Sequence, residues 1–378
     1  MNPNSVTESS VNNLISEFRI DVEIASVKPF GSGHINDTYR IINKDPNGHD
    51  YLLQRVNHRV FKDVPLLMNN LVSVTDHLRK KLVALPVATL EREVLTIIQT
   101  KSGLPYYKDA GGNYWRVFYF LKGTKSYDMV TTEKQAFEGG KAFGHFQALL
   151  ADLDTNLIKD TIPDFHNIEY RLDNLLKSVE TDKKERLKGV KAEVDFILRR
   201  SDAMDEILKL GRSGTLPLRI VHNDTKFNNV LLDADDHAQC VIDLDTVMPG
   251  YAAYDFGDSI RTIINTAAED EINLAAIGLN VPLFEAYTRG YLQESVSFLT
   301  KAEIDSLIKG ALLLPFIQAV RFLTDYLDGD VYFKIQSPEH NLQRTRAQLA
   351  LVKKLEENED QLNQIIQNNW QYHRSKQQ

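Results

Sequence analysis

Apolar residues change their spacing once along this chain, and the change divides it in two. Up to about residue 121, short apolar runs alternate with turns. The run "VKPFGSGHINDTYRII" reads as strand, turn and strand, with Gly31 and Gly33 at the bend. "YLLQRVN" is the next strand, after the turn "KDPNGHD", and "YWRVFYFL" is a short aromatic strand that ends at Gly123. Between them, "VPLLMNNLVSVTDHLRKKL" puts Leu67, Leu71, Val74 and Leu78 on one face, which predicts a helix. Beyond residue 121 the period is mostly helical. "EKQAFEGGKAFGHFQALLADL" sets Phe143, Phe146 and Leu150 on one face. "KGVKAEVDFILRRSDAMDEIL" predicts a second amphipathic helix with a solvated basic face. "KAEIDSLIKGALLLPFIQAVRFLTDYL" predicts helices broken or kinked at Pro315, and "TRAQLALVKKLEENEDQLNQII" a long terminal helix. The expected organisation is a small mixed lobe over residues 1–121 and a larger helical lobe over 122–378.

Composition narrows the partners. The chain has 378 residues, 43% hydrophobic and 25% charged, enough for two lobes with cores of their own. Its 44 basic and 52 acidic residues give a net charge of −8, which offers no electrostatic reason to bind nucleic acid. A single cysteine, Cys240, excludes an intrachain disulfide and fits a reducing compartment. The polar start "MNPNSVTESSVNN" has no apolar core of a secretory signal. The apolar stretch "GALLLPFI" is far shorter than the roughly 20 residues that span a bilayer. These features predict a cytoplasmic protein without a membrane partner, a monomer or weak homo-oligomer.

One stretch interrupts the helices. "VHNDTKFNNVLLDADDHAQCVIDLDT", residues 221–246, crowds His, Lys, Asn and Asp around the apolar runs "VLL" and "CVI". Polar groups beside buried strands are costly unless something pairs with them. His222, Asp224 and Asn229 have the spacing of a kinase catalytic loop, H-R-D-x-x-x-x-N. There the Asp faces the acceptor hydroxyl and the Asn holds Mg²⁺. Asp243, ending the second strand, would be the other metal ligand, brought to Asn229 by a tight hairpin. Mg²⁺ takes oxygen ligands, and only a few of them from protein, so one Asn and one carboxylate suit it. Asp224, with Lys226 beside it, is then the expected catalytic centre. An Asp–Asn pair alone is turn chemistry. "DLD" alone would also suit a nucleotide-sugar glycosyltransferase or a surface loop. The full set with its two strands is more specific than either. Upstream, Gly31, Ser32 and Gly33 occupy the place of a phosphate-covering loop, where glycines let backbone N–H groups approach phosphate. The "WRVFYFLKG" segment, with Phe118 and Phe120, would be the lobe connector that pairs with adenine; a plain buried strand is the alternative.

The motifs "VHNDTKFNNVLLD", "IDLDTVMPG" and "YDFGDSIR" resemble the aminoglycoside phosphotransferase and choline kinase superfamily. Its pattern is met by His222, Asp224, Asn229, Asp243, Gly250 and Asp255. Further likenesses, "GHIN", "RFL-DYL-GD-YF" and "PEHNL-RTR", extend it from about residue 20 to 360. The resemblance implies an α+β, bilobal, protein-kinase-like fold and ATP with Mg²⁺ as cofactors. The activity it implies is phosphorylation of the anomeric hydroxyl of an N-acetylhexosamine. It also carries Arg321 and Tyr332 toward the sugar, and His34 toward sugar or phosphate. The alternatives are an Arg321–Asp325 pair one helical turn on and a plain turn histidine. Asp258 and Arg261 read as an ion pair bracing the catalytic loop.

The chain departs from the wider kinase pattern. The strand after the glycine turn has Gln54 and Arg55 where kinases have a lysine, and the following helix "LLMNNLVSVTDHL" has no Glu. Arg55 is the candidate for the α- and β-phosphates if it faces inward, and strand alternation lets only one of Gln54 and Arg55 do so. That departure leaves a pseudokinase scaffold as a competing reading, which the presence of Asp224, Asn229 and Asp243 opposes. A related kinase for choline, an aminoglycoside or homoserine is the other alternative.

Overall fold

The structure, a computed structural model, describes residues 8–31, 35–84 and 89–377. Its first part is built on an antiparallel sheet. The strands are β1 (Ile24–Pro29), β2 (Asp37–Asn43), β3 (Tyr51–Val56), β4 (Ile97–Ile98), β5 (Tyr107–Lys108) and β6 (Tyr114–Tyr119). They run in the order β1-β2-β3-β6-β4, with β5 also on β6. Alternation gives the sheet two faces. One buries Ile41, Leu53, Trp115 and Val117 with Val11, Ile15 and Phe18. The other packs Val56 and Phe118 against the helix Val64–Val83. That helix starts at Asp63, whose side chain accepts from the Leu66 N–H, with Pro65 in its first turn.

The remainder is helical, apart from two small pairs of strands. β7 (Arg219–Val221) pairs with β10 (Met248–Gly250), and β8 (Val230–Leu232) with β9 (Ala238–Val241). These carry the polar stretch. The helix Ala252–Ile263 supports them and crosses the helix Lys301–Asp328 closely. A Cβ on Gly257 would lie 2.1 Å from the Gly310 carbonyl oxygen, so only glycine permits that approach. The protein is therefore α+β, with a small sheet lobe and a larger helical one.

Three helix expectations differ from the structure. Residues 188–208 hold not one helix but three, Lys191–Leu198, Ser201–Met204 and Glu206–Arg212. The helix at Pro315 is not broken, and the terminal helix is divided. Lys301–Asp328 runs unbroken through Pro315. Burial on several sides offsets the roughly 3 kcal/mol a mid-helix proline costs. By length and hydropathy this helix could cross a membrane, but 72% of its most apolar window is buried inside the helical lobe. The terminal helix is two, His340–Glu357 and Glu359–Ser375, parted at Asn358.

Candidate active site

The catalytic stretch is pinned by Asp255, at the start of its supporting helix. Its two carboxylate oxygens accept the backbone N–H groups of His222, at 2.9 Å, and Asn223, at 2.7 Å. Gln147 donates to it as well, at 2.7 Å. The Asp255 carbonyl takes the Thr225 hydroxyl, and the Thr225 carbonyl takes that of Ser259. Asn223 turns the chain with a φ of 65°, a left-handed conformation that asparagine tolerates. Its side chain donates to the Thr246 carbonyl at 3.0 Å. His222 is buried; Nδ1 accepts from the Asp224 N–H and Nε2 donates to the Ile242 carbonyl at 2.9 Å. The catalytic loop and the strand β9 are thereby locked together.

Asp224 emerges from this lock half-buried, with Lys226 Nζ 2.9 Å from one carboxylate oxygen. Burial works against its charge, but Lys226, His222 and Arg261 outweigh that and hold its carboxyl below the usual range. Arg261 donates to Asp258 at 3.0 Å, the expected bracing pair, and to Glu269 at 2.7 Å. Asn229 gives its side-chain N–H to the Asp224 carbonyl at 2.8 Å, which leaves its amide oxygen for another partner. The Ile242 N–H bonds the Asn229 carbonyl at 2.9 Å, so the hairpin does bring Asn229 and Asp243 to one end.

Asp243 differs from its neighbours. It has a φ of 59°, is open to solvent on one side, and has no hydrogen-bond or ion-pair partner among the described residues. Crowding on its other sides, then the charges of Asp245 and Asp224, push its carboxyl up to about 6. A carboxylate left unpaired among other carboxylates suits a cation. No group of three or more His, Cys, Asp or Glu among the described residues could enclose one alone.

On the sheet side the structure corrects two expectations. Arg55 faces away from the catalytic loop: its Nε donates to Asp37 at 2.8 Å on the face that holds Trp115. Alternation turns Gln54 inward instead. The aromatic run is the central strand β6 rather than a connector, with Phe118 buried between Leu52 and Ile97. The Phe120 N–H is already bonded to the Asp50 carbonyl at 2.8 Å. Its ring lies 5.1 Å from that of Phe30 and 4.0 Å below the Arg40 guanidinium. Gly31 has a φ of 80°, as a glycine turn needs; Ser32, Gly33 and His34 lie outside the described residues.

On the far side of the catalytic loop, His166 Nε2 donates to the Asn223 carbonyl at 3.0 Å. Burial, then Arg321 and Arg171, push this imidazole down to about 3, so it is neutral. Arg321 has aromatic rings on several sides: Phe333 at 5.4 Å, Phe165 at 5.5 Å and Tyr332 at 5.8 Å. Among the described residues its one hydrogen bond is a 3.3 Å contact to Gln318. The alternative pair with Asp325 is not formed. Asp325 instead accepts the N–H groups of Val331, Tyr332 and Phe333 at 2.9, 2.8 and 3.0 Å. Asn341, of the "PEHNL" motif, donates to it at 2.9 Å. Asp325 thus holds the loop that presents Tyr332, which is 58% exposed. Arg171 stands close to Arg321 and is pushed down to about 10 by burial and that neighbour.

The family model of the APH phosphotransferase enzyme family matches residues 26–292, more than half of the chain. The chain belongs to this phosphotransferase family. Solved structures similar to this phosphotransferase include an aminoglycoside phosphotransferase from Alicyclobacillus acidocaldarius, at 13% identity and a TM-score of 0.59, covering 94% of this chain and 96% of that one. A choline kinase from Cryptosporidium parvum is similar at 16% identity and a TM-score of 0.58, covering 94% and 97%. An amicoumacin kinase in complex with AMP-PNP, Ca²⁺ and Ami is similar at 14% identity and a TM-score of 0.57, covering 91% and 93%. The fold of the phosphotransferase is theirs: that of protein-kinase-like enzymes acting on small molecules.

Several residues of this phosphotransferase site escaped the sequence reading. Asn36, Arg116 and Asp245 meet with Gln54 at the lobe junction, and Phe165, His166 and Arg171 lie near Arg321. Arg116 had a signal, since a lone charge inside the aromatic strand "WRVFYF" demands a buried partner. His166 and Arg171 had none, because nothing in their spacing ties them to the catalytic loop.

Proposed function

We propose that this APH-family phosphotransferase transfers the γ-phosphoryl group of ATP to the anomeric hydroxyl of an N-acetylhexosamine, giving the sugar 1-phosphate. Residues 1–121 would bind nucleotide and residues 122–378 would carry the catalytic loop and sugar site. Asp224, kept ionised by Lys226, would orient the acceptor hydroxyl and receive its proton. Asn229 and Asp243 would hold Mg²⁺, which when bound neutralises charge on the phosphates. The reaction requires neither nucleic acid nor membrane and suits a cytoplasmic monomer or weak homo-oligomer.

The observation that carries the sugar reading is Arg321, a guanidinium that ion-pairs with no carboxylate among the described residues and is ringed by Phe165, Tyr332 and Phe333. A planar donor fork suits sugar hydroxyls and an N-acetyl carbonyl, and an exposed aromatic face suits a pyranose ring. With Arg171 nearby, the region is cationic, although Asp164 faces Arg171. Choline and aminoglycosides, both cations, would meet like charge there. The second reading is nonetheless such an acceptor, since the similar kinases are named for choline, aminoglycosides and amicoumacin. Coupled ADP release with Mg²⁺ over N-acetylglucosamine, N-acetylgalactosamine, plain hexoses, choline, homoserine and aminoglycosides separates the two. Turnover is expected with the N-acetylhexosamines. Turnover confined to choline, homoserine or aminoglycosides would replace the sugar assignment.

A further inference from the structure

The missing lysine–glutamate pair of kinases has a counterpart elsewhere in this molecule. Gln54 stands inward on β3, and its direct cross-strand partner on β6 is Arg116. Arg116 Nε donates to the Gln54 amide oxygen at 2.9 Å. Its two terminal nitrogens reach across the lobes to both carboxylate oxygens of Asp245, at 2.5 and 2.9 Å. Asn36, just past the glycine turn, donates to the same carboxylate at 2.8 Å. The helix Val64–Val83, which carries the glutamate in other kinases, offers only the Met68 sulfur, 3.9 Å from Arg116. The cation has moved one strand over, from β3 to β6, and the anion has moved from the helix to the loop after β9.

We propose that the Arg116–Asp245 ion pair positions the metal-binding loop, in place of the absent lysine–glutamate pair, by holding Asp243 in register with the strands that cover the phosphates. Asp245 lies two residues beyond Asp243. The pair's side chains are only 2% and 4% exposed, and both Asp245 oxygens are occupied, so Asp245 is an anchor rather than a metal ligand. The Asp245 carbonyl is fixed from the other side by the Thr161 hydroxyl at 3.0 Å. A bidentate guanidinium fixes orientation as well as distance, which a lysine ammonium does not. The network also ties Asn36 to the same carboxylate, so the glycine turn and the metal loop share one anchor.

This inference rests on the kinase reading, with Asp243 as metal ligand, and not on the sugar. Its test is the double variant Arg116→Met/Asp245→Asn, which removes both charges together and leaves no lone charge buried. Calorimetry on the full chain measures ADP affinity with and without Mg²⁺, alongside the melting temperature. Folding and Mg²⁺-free ADP affinity should stay near wild type, while the Mg²⁺ concentration for half-saturation rises on the order of 10–100-fold, the range for residues that orient a metal ligand. An unchanged Mg²⁺ dependence would overturn the proposal, leaving a purely structural pair. An equal loss of affinity with and without Mg²⁺ would overturn it too, by making Arg116 a direct nucleotide contact. If the double variant does not fold, Arg116→Lys keeps the charge, gives up the bidentate geometry and is judged by the same two outcomes. Asp243→Ala in the same titration tests the underlying reading separately: if it leaves Mg²⁺ dependence intact, the metal assignment fails whatever Arg116 does.

Discussion

The catalytic loop and the region of Arg321 lie side by side, joined by the hydrogen bond from His166 to Asn223, yet they treat their polar groups in opposite ways. Around Asp255, donors and acceptors answer one another: His222, Asn223, Gln147, Thr225 and Ser259 all bond within the protein. Around Arg321, a guanidinium is surrounded by rings and meets one weak acceptor. A fully paired buried network fixes geometry, and disturbing it leaves costly unpaired groups. A half-exposed, unpaired donor fixes nothing within the protein and is free for a ligand. The contrast recurs within a few residues of one chain. Asp245 is saturated by Arg116 and Asn36, while Asp243 has no hydrogen-bond or ion-pair partner among the described residues. Paired groups build this site, and unpaired groups are where substrate, nucleotide and metal are expected.

The largest effect should come from a residue that stands between the two classes. Asp224 is partly paired, by Lys226, and partly open toward the acceptor. Asp224→Asn keeps the shape and removes the base. Turnover should fall on the order of 10²–10⁴-fold, the usual worth of a general base, while calorimetric MgADP affinity stays near wild type. An Asp224→Asn enzyme with wild-type kcat would show that the half-open group at the boundary is not where the chemistry occurs.

Arg321→Ala tests the open side. Losing a charged donor should cost roughly 1.5–3 kcal/mol, or about 10- to 150-fold in kcat/KM for the sugar, with the KM for ATP unchanged. Since Arg321 has no carboxylate partner, the melting temperature should hardly move. A lower melting temperature with unchanged sugar kinetics would place Arg321 among the structural groups and erase the contrast.

The same distinction explains what the sequence disclosed. The geometry of the polar stretch was legible because it is local: Asn229 and Asp243 flank one hairpin, and their spacing fixes their meeting. The α+β class was legible because the apolar period changes along the chain, from short strand runs to helical spacing. Arg55 was misjudged because alternation says that only one of Gln54 and Arg55 points inward without saying which. Only pairing with β6 and the Asp37 contact decide it. The aromatic run reads equally as strand or connector because its apolar pattern is the same in either role, and only its pairing with β3 decides for the strand. The Arg116–Asp245 pair spans 129 positions, and no local pattern reports a contact at that range. Asp325 was offered as a partner for Arg321 from helical spacing alone. Three N–H groups from the loop just beyond its helix compete better for a carboxylate than one arginine a turn away.

The smallest effect, and the finest test of the contrast, is the pH dependence of His166, which touches both regions. Its Nε2 donates to the Asn223 carbonyl, and its Nδ1 is buried without a partner among the described residues. Burial, then the Arg321 and Arg171 charges, push it down to about 3 in the folded chain, against about 6.5 when unfolded. Between those values the unfolded state binds a proton that the native state does not. Stability is therefore full above the unfolded value and falls as pH drops, by up to about 1.4 kcal/mol per pH unit from this group. His166→Gln can keep the donor to Asn223 while removing the titration. Denaturant unfolding of both proteins at pH 7.5 and pH 5.5 isolates the term, because the other histidines and the carboxylates cancel in the difference. Wild type should lose about 1.4 kcal/mol more than His166→Gln over that interval. In Arg321→Ala the extra loss should be unchanged, since burial, the larger cause, still holds the imidazole below this interval. Equal losses in wild type and His166→Gln would mean that the imidazole takes up its proton in the native state without penalty. His166 would then be an open group like Arg321, and the boundary between the paired and unpaired regions would lie at Asn223 instead.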